Sequence, residues 1–320
     1  MIFLTVTSAV LAKSGDVLWT FPAGPGSSGP GGVTPDACEA YYGIDNAGPV
    51  LDDTAGSVYF TSEHTGWRVY ALDAATGAER WNVSTVDTTS ATAPAVAGGS
   101  VFFGALRGGA VRLVSVNATT GAPRWDVAAP GKGVAAPPTV PGDGSLLYIT
   151  LDDGLHAFDA ATGAAVWSAA GKLTGCGMTV PQLDAAAGAL YAAGGGGVNG
   201  VQALDAKTGA HMWSALPHVD NPWASPVLAA AGGKLLFTAG FLGTAYETGV
   251  AYGLDAATGA LAWQQNLTTF DECAYAPQTP AVTGGRVFFG GATPTLFALD
   301  AATGKLDWQA ARVCQGHLWM

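Results

Sequence analysis

The sequence predicts an all-β fold, a β-propeller of four-stranded antiparallel blades, on three observations. One phrase, Ala71 to Trp81 (ALDAATGAERW), returns as Ser115 to Trp125, Ala157 to Trp167, Ala203 to Trp213, Gly253 to Trp263 and Ala298 to Trp308. The tryptophans that close the copies lie 44, 42, 46, 50 and 45 residues apart, which is the length of one propeller blade. Between copies the chain alternates short apolar runs with Gly-rich turns. Its 46 glycines, 49% apolar residues and 12% charged residues suit many short strands and argue against disorder or a helical bundle.

Each element of the phrase has a physical reason to recur. The run Arg68 to Leu72 alternates its side chains between two faces, as a strand must. Asp73, Asn117, Asp159, Asp205, Asp255 and Asp300 end the corresponding strands with a side-chain oxygen able to accept the backbone N–H groups of a turn. The threonine that follows can make similar local bonds. Gly77, Gly121, Gly163, Gly209, Gly259 and Gly304 supply the positive φ that reverses the chain. Trp81, Trp125, Trp167, Trp213, Trp263 and Trp308 stand at a fixed distance beyond the turn, where an indole packs between neighbouring sheets and its N–H finds a carbonyl. These residues read as structural.

The pattern Ala-x-Asp-x-x-Thr-Gly-x-x-x-Trp, over about residues 47 to 308, resembles the repeat of the pyrroloquinoline quinone (PQQ)-like β-propellers. That family holds quinoprotein alcohol dehydrogenases, a bacterial outer-membrane assembly lipoprotein and many proteins without assigned roles. The resemblance therefore implies a fold and leaves enzyme and scaffold both open.

Taken in order, Met1 to Ala12 is apolar, ends in small residues and reads as a signal peptide, with one propeller domain over residues 13–320. The competing reading makes it a degenerate repeat, because Ser14 to Trp19 aligns with Thr76 to Trp81. Residues 22–36 form a Pro/Gly/Ser loop. In the second period the expected strands are Ala93 to Val96, Ser100 to Phe103, Val111 to Val116 and Pro123 to Val127. Six complete blades follow from the six periods, with a partial blade at Trp19, either closing alone or as part of a seven- or eight-bladed ring. No apolar stretch is long enough to span a membrane.

With 13 Lys and Arg against 24 Asp and Glu, the chain carries a net charge of −11 and no basic run, which argues against nucleic acid as a partner. The linkers between blades and the loops inside them share the face opposite the Asp-x-x-Thr-Gly turns. That loop face is acidic and aromatic, and it holds the candidate binding residues Asp45, Trp67, Trp223, Asp271 and Tyr275. Cys38, Cys176, Cys273 and Cys314 also fall there and suggest disulfides, with Cys38–Cys314 and Cys273–Cys314 as alternative pairings. No two cysteines have zinc-ligand spacing, and no metal site is expected. Three sequons, at Asn82, Asn117 and Asn266, accord with secretion as a glycoprotein.

Two functions are weighed. A non-catalytic scaffold would bind a protein or glycan through the loop face and expects no cofactor. A quinoprotein dehydrogenase, which the resemblance implies, would hold PQQ and Ca²⁺ on the axis and oxidise alcohols or sugars. The positions before each first strand read Ala47, Thr92, Ala136, Met178, Ser225 and Gln278, a ring with no base and no cation for the quinone carboxylates. The five histidines, at 64, 156, 211, 218 and 317, lie in different repeats, and no Gly-x-Ser-x-Gly elbow supports a hydrolase.

Overall fold

The computed structural model describes residues 2–5, 8–11, 17–20, 49–62, 67–85, 88–133, 136–170, 180–194, 200–215, 227–229, 233–240, 248–268, 280–290 and 295–311. It divides into two compact units, residues 1–168 and 169–320. All regular elements among the described residues are β-strands, paired antiparallel.

In the first unit, β1 (Ile2–Thr5), β2 (Ser8–Leu11) and β3 (Val17–Thr20) form a three-stranded sheet. The second sheet has the order β4 (Val50–Asp52), β5 (Ser57–Ser62), β6 (Arg68–Asp73) and β7 (Glu79–Ser84). The third contains β8 (Thr88–Ala91), β9 (Ala95–Ala97), β10 (Ser100–Arg107), β11 (Ala110–Asn117) and β12 (Pro123–Ala128). Its last four strands fall where the sequence places them. Strand β8 is an addition, pairing with the far end of β10 while β9 takes the near end.

The fourth sheet keeps only β13 (Leu146–Leu151), β14 (Gly154–Asp159) and β15 (Ala165–Ala170) as full strands. Its innermost strand shrinks to a single bridge, in which Thr139 and Tyr148 exchange both backbone bonds at 2.8 Å. The reason lies in the sequence. Pro137, Pro138 and Pro141 surround Thr139 and have no N–H to donate to a ladder.

The second unit contains three regular four-stranded sheets. Their orders are β16 (Gln182–Asp184), β17 (Ala189–Gly194), β18 (Gly200–Asp205), β19 (His211–Ala215); then β20 (Val227–Ala229), β21 (Lys234–Gly240), β22 (Thr248–Asp255), β23 (Leu261–Thr268); and β24 (Ala281–Thr283), β25 (Arg286–Gly290), β26 (Thr295–Asp300), β27 (Leu306–Ala311).

The core lies between consecutive sheets of each unit. One cluster joins Tyr59, Val69, Ala71 and Trp81 of the second sheet to Val101, Phe103, Val116 and Ala118 of the third. In the second unit Leu236, Ala251 and Trp263 meet Val287, Phe289 and Leu299 in the same manner. Five of the outer strands, β7, β12, β19, β23 and β27, carry a bulge just before the tryptophan. Ala71 pairs with Trp81 but Leu72 with Glu79, which leaves Arg80 as the extra residue. The same shift falls at Arg124, Met212, Ala262 and Asp307. A bulge bends and twists the strand locally, and here it aims the indole at the following sheet.

Candidate functional site

The repeated phrase builds a joint. Asp73 Oδ1 accepts the N–H groups of Ala75 (3.1 Å) and Thr76 (2.9 Å) and the Thr76 hydroxyl (2.9 Å). Asp159, Asp205, Asp255 and Asp300 grip Thr162, Thr208, Thr258 and Thr303 in the same way. Asn117 substitutes with its amide oxygen, accepting from Thr119 and Thr120 at 2.9 Å. The turn so fixed presents one carbonyl to the preceding sheet. Trp19 Nε1 donates to Ala74 O at 3.0 Å, Trp81 to Ala118 at 2.9 Å and Trp125 to Ala160 at 3.0 Å. In the second unit Trp213 donates to Ala256 and Trp263 to Ala301, both at 3.2 Å.

Gly77, Gly121, Gly163, Gly259 and Gly304 of these turns lie under the indoles of Trp19, Trp81, Trp125, Trp213 and Trp263. Gly121 has φ +70°, and a Cβ there would sit 2.9 Å from Trp81 Cδ2. Only glycine satisfies both the left-handed backbone and the close approach.

A further member of the joint escaped the sequence reading. The third residue of each second strand is commonly aromatic, and Tyr59, Phe102, Tyr148, Tyr191 and Phe288 lie 5.8–6.0 Å from the tryptophans of their own sheets. Tyr59 and Tyr191 also donate their hydroxyls to Ala118 O (3.1 Å) and Ala256 O (3.0 Å), the carbonyls that the indoles use. Burial pushes both phenols above their ordinary pKa. The aromatic at that position was visible in the sequence as a second periodic feature.

The turn carboxylates are tuned for structure. The Arg80 guanidinium beside Asp73, followed by the Thr76 hydroxyl, holds the Asp73 carboxyl well below the usual carboxylate range. Threonine hydroxyl bonds lower Asp159, Asp205, Asp255 and Asp300. A carboxylate whose folded pKa lies below its unfolded pKa adds stability that is complete above the unfolded value, about 4, and is lost as pH falls through the folded value. Thermal midpoints should therefore be level near neutrality and decline on acidification below about pH 4. A midpoint independent of pH down to 2 would overturn this assignment.

The described part of the loop face is ordered by ion pairs and backbone bonds. Asp126 bridges Arg107 Nη1 (2.6 Å) and Arg112 Nε (2.8 Å). Asp152 Oδ1 accepts the Lys132 N–H at 2.8 Å, and Asp153 hydrogen-bonds with the buried His156 ring at 2.8 Å. Trp67 is half-buried against the Tyr59–Trp81 cluster, and its carbonyl accepts both Thr85 N–H (3.0 Å) and Thr85 Oγ1–H (2.6 Å). Of the residues expected before each first strand, Ala136 and Thr92 are buried, and the Thr92 hydroxyl donates to Ala93 O and accepts the Gly104 N–H; Ala47, Met178, Ser225 and Gln278 lie outside the described residues. Asp45, Trp223, Asp271, Tyr275 and the four cysteines lie outside the described residues. Among the described residues no group of three or more His, Cys, Asp or Glu is placed to hold a metal ion, and no helix is long and apolar enough to cross a membrane.

A PQQ-repeat family model described as outer membrane protein assembly factor BamB matches residues 5–111, 65–201 and 198–317. The chain belongs to this family. By structure it is similar to BamB from Moraxella catarrhalis, with 18% identity and a TM-score of 0.65, covering 98% of this chain and 87% of that one. It is also similar to the quinohemoprotein alcohol dehydrogenases of Pseudomonas putida HK5 (15%, TM-score 0.67) and Comamonas testosteroni (17%, TM-score 0.66). Those matches cover 95% of this chain but only 63% and 64% of the dehydrogenases, so the chain spans under two thirds of their length. No curated protein is matched by sequence. At such identities the likeness establishes the PQQ-like β-propeller fold, and both kinds of neighbour share it.

Proposed function

We propose that this PQQ-like propeller is a non-catalytic binding scaffold that engages a protein or glycan partner through its loop face, with Asp45, Trp67, Trp223, Asp271 and Tyr275 as the contact candidates. The observation that carries the reading is the engagement of the repeat's own polar groups. The turn aspartates hold threonines, and the described tryptophan N–H bonds run to carbonyls of the following sheet, so the repeat supports sheets. A rigid array with varied loops and aromatic anchors needs nothing more to bind a macromolecule. The family's description as an assembly factor supports the same direction.

The dehydrogenase reading draws support from the fold of its structural neighbours. The residues expected nearest the axis do not fit the group it requires. The residues that the sequence puts before each first strand, Ala47, Thr92, Ala136, Met178, Ser225 and Gln278, include no cation for PQQ and no carboxylate for Ca²⁺, and the hydroxyl of Thr92, which with Ala136 is described, is already engaged.

Capture of partners from a secreted extract, with the wild-type chain and with Trp67, Trp223 and Tyr275 changed to alanine, tests the scaffold. Loss of a specific partner in the triple variant is expected, and undiminished capture would sink the assigned face. Titration with PQQ and Ca²⁺ should leave absorbance unchanged and give no dye reduction with alcohols or aldoses; turnover would reverse the conclusion.

A further inference from the structure

The three sequons occupy different kinds of position. Asn82-Val83-Ser84 lies on β7 and Asn266-Leu267-Thr268 on β23, each the last strand of its sheet. On a strand the side chains alternate, so the central residue of such a triplet faces opposite to the asparagine. Val83 packs against the Tyr59–Trp81 cluster and Leu267 is buried with Trp263, which turns Asn82 and Asn266 out to solvent. The Asn82 amide donates to Glu79 Oε1 at 2.6 Å through one N–H, while its oxygen accepts from Arg68. An amide nitrogen carries two hydrogens, so one remains for substitution without loss of that bond.

Asn117-Ala118-Thr119 is held inside the joint. The Asn117 side-chain oxygen accepts the Thr119 and Thr120 N–H groups. Ala118 is buried, and its carbonyl receives both Trp81 Nε1–H and the Tyr59 hydroxyl.

We propose that Asn82 and Asn266 are N-glycosylation sites and that Asn117 is left unmodified; this rests on the secretory reading. The donor is a lipid-pyrophosphate-linked oligosaccharide. A bond forms between Asn Nδ2 and the sugar C1 as the C1–O bond to pyrophosphate breaks, the lipid pyrophosphate leaves, and the displaced amide proton passes to solvent. Glycans at these positions cover outer strands whose outward backbone groups would otherwise template edge-to-edge pairing. They leave the turns and the loop face open.

The test is secretion of the full chain behind a heterologous cleavable signal, with site occupancy read by mass spectrometry after peptide N-glycosidase in ¹⁸O-water. Label at Asn82 and Asn266 with Asn117 unlabelled is expected. Absence of label at both outer-strand sites, or predominant label at Asn117, would overturn the proposal. Ser84→Ala and Thr268→Ala should each remove one glycan while keeping the asparagine, and Asn117→Gln should leave the mass of the glycans unchanged. Running the chain with its own N-terminus in parallel separates the two ideas. If only the forced chain is secreted and carries both glycans, the secretory reading fails and the sites stand; if the forced chain emerges bare, the sites fail.

Discussion

Trp81→Ala is expected to lower folding stability by about 3–5 kcal/mol, the range for emptying a large aromatic from a core. Trp81 is 8% exposed, packs on Tyr59 at 5.8 Å, closes over Gly121 and donates to Ala118. Truncation removes the joint between the second and third sheets. Trp308 occupies the same position in its own sheet but is 43% exposed. Trp308→Ala should cost less than about 1.5 kcal/mol, because much of its surface already meets water. Trp81→Phe should cost less than Trp81→Ala, losing about 1 kcal/mol for the indole hydrogen bond while Tyr59 still serves the Ala118 carbonyl. Urea midpoints followed by circular dichroism check the series, and equal shifts for Trp81→Ala and Trp308→Ala would refute the joint as its source.

Gly259→Ala should destabilise by about 2–5 kcal/mol, combining about 1–2 for an alanine in the left-handed region with about 1–3 for crowding a packed core. Gly259 has φ +72°, and a Cβ would meet Trp213 Cε3 at 2.4 Å. Trp213 is itself buried and tied to Ala256, so it has nowhere to retreat. Gly284 has φ +57° with nothing within 4 Å, so Gly284→Ala isolates the backbone cost of about 1–2 kcal/mol. If the two variants melt together, the indole exerts no steric demand and the account of the turn fails.

Much of this architecture was legible because it repeats. Asp, Thr, Gly and Trp at fixed spacing announced both the turn and the joint, and their hydrogen bonds match the roles that their chemistry suggested. The bulge was not legible. Its extra residue is Arg80, Arg124, Met212, Ala262 or Asp307, and no residue type marks the shift. Two of these side chains bond back across their own sheets, Arg80 to Ala55 O and Arg124 to Gly99 O, a regularity visible only in three dimensions. Residues 2–11 read alike as leader or as strands, since a short apolar run lacks the length that would separate the two. The loop face was harder still. Its residues are the ones that do not repeat, so periodicity is silent about them, and Trp67, which composition marks as an exposed anchor, rests partly against the core.

The joint also bears on how such a chain can grow. In the periods that end at Trp81 and Trp125, the phrase holds both a tryptophan that reaches forward to the next sheet and a turn that receives the tryptophan behind it. Plug and socket are thus encoded in one continuous stretch. Duplicating a single period would insert a unit that fits both neighbours without any compensating change in either, and excising one would leave matching partners on each side of the cut. Stability that runs between nearest neighbours in this way tolerates changes in copy number. Lineages built on this phrase are free to vary their number of blades, while the loops between the phrases diverge under separate selection.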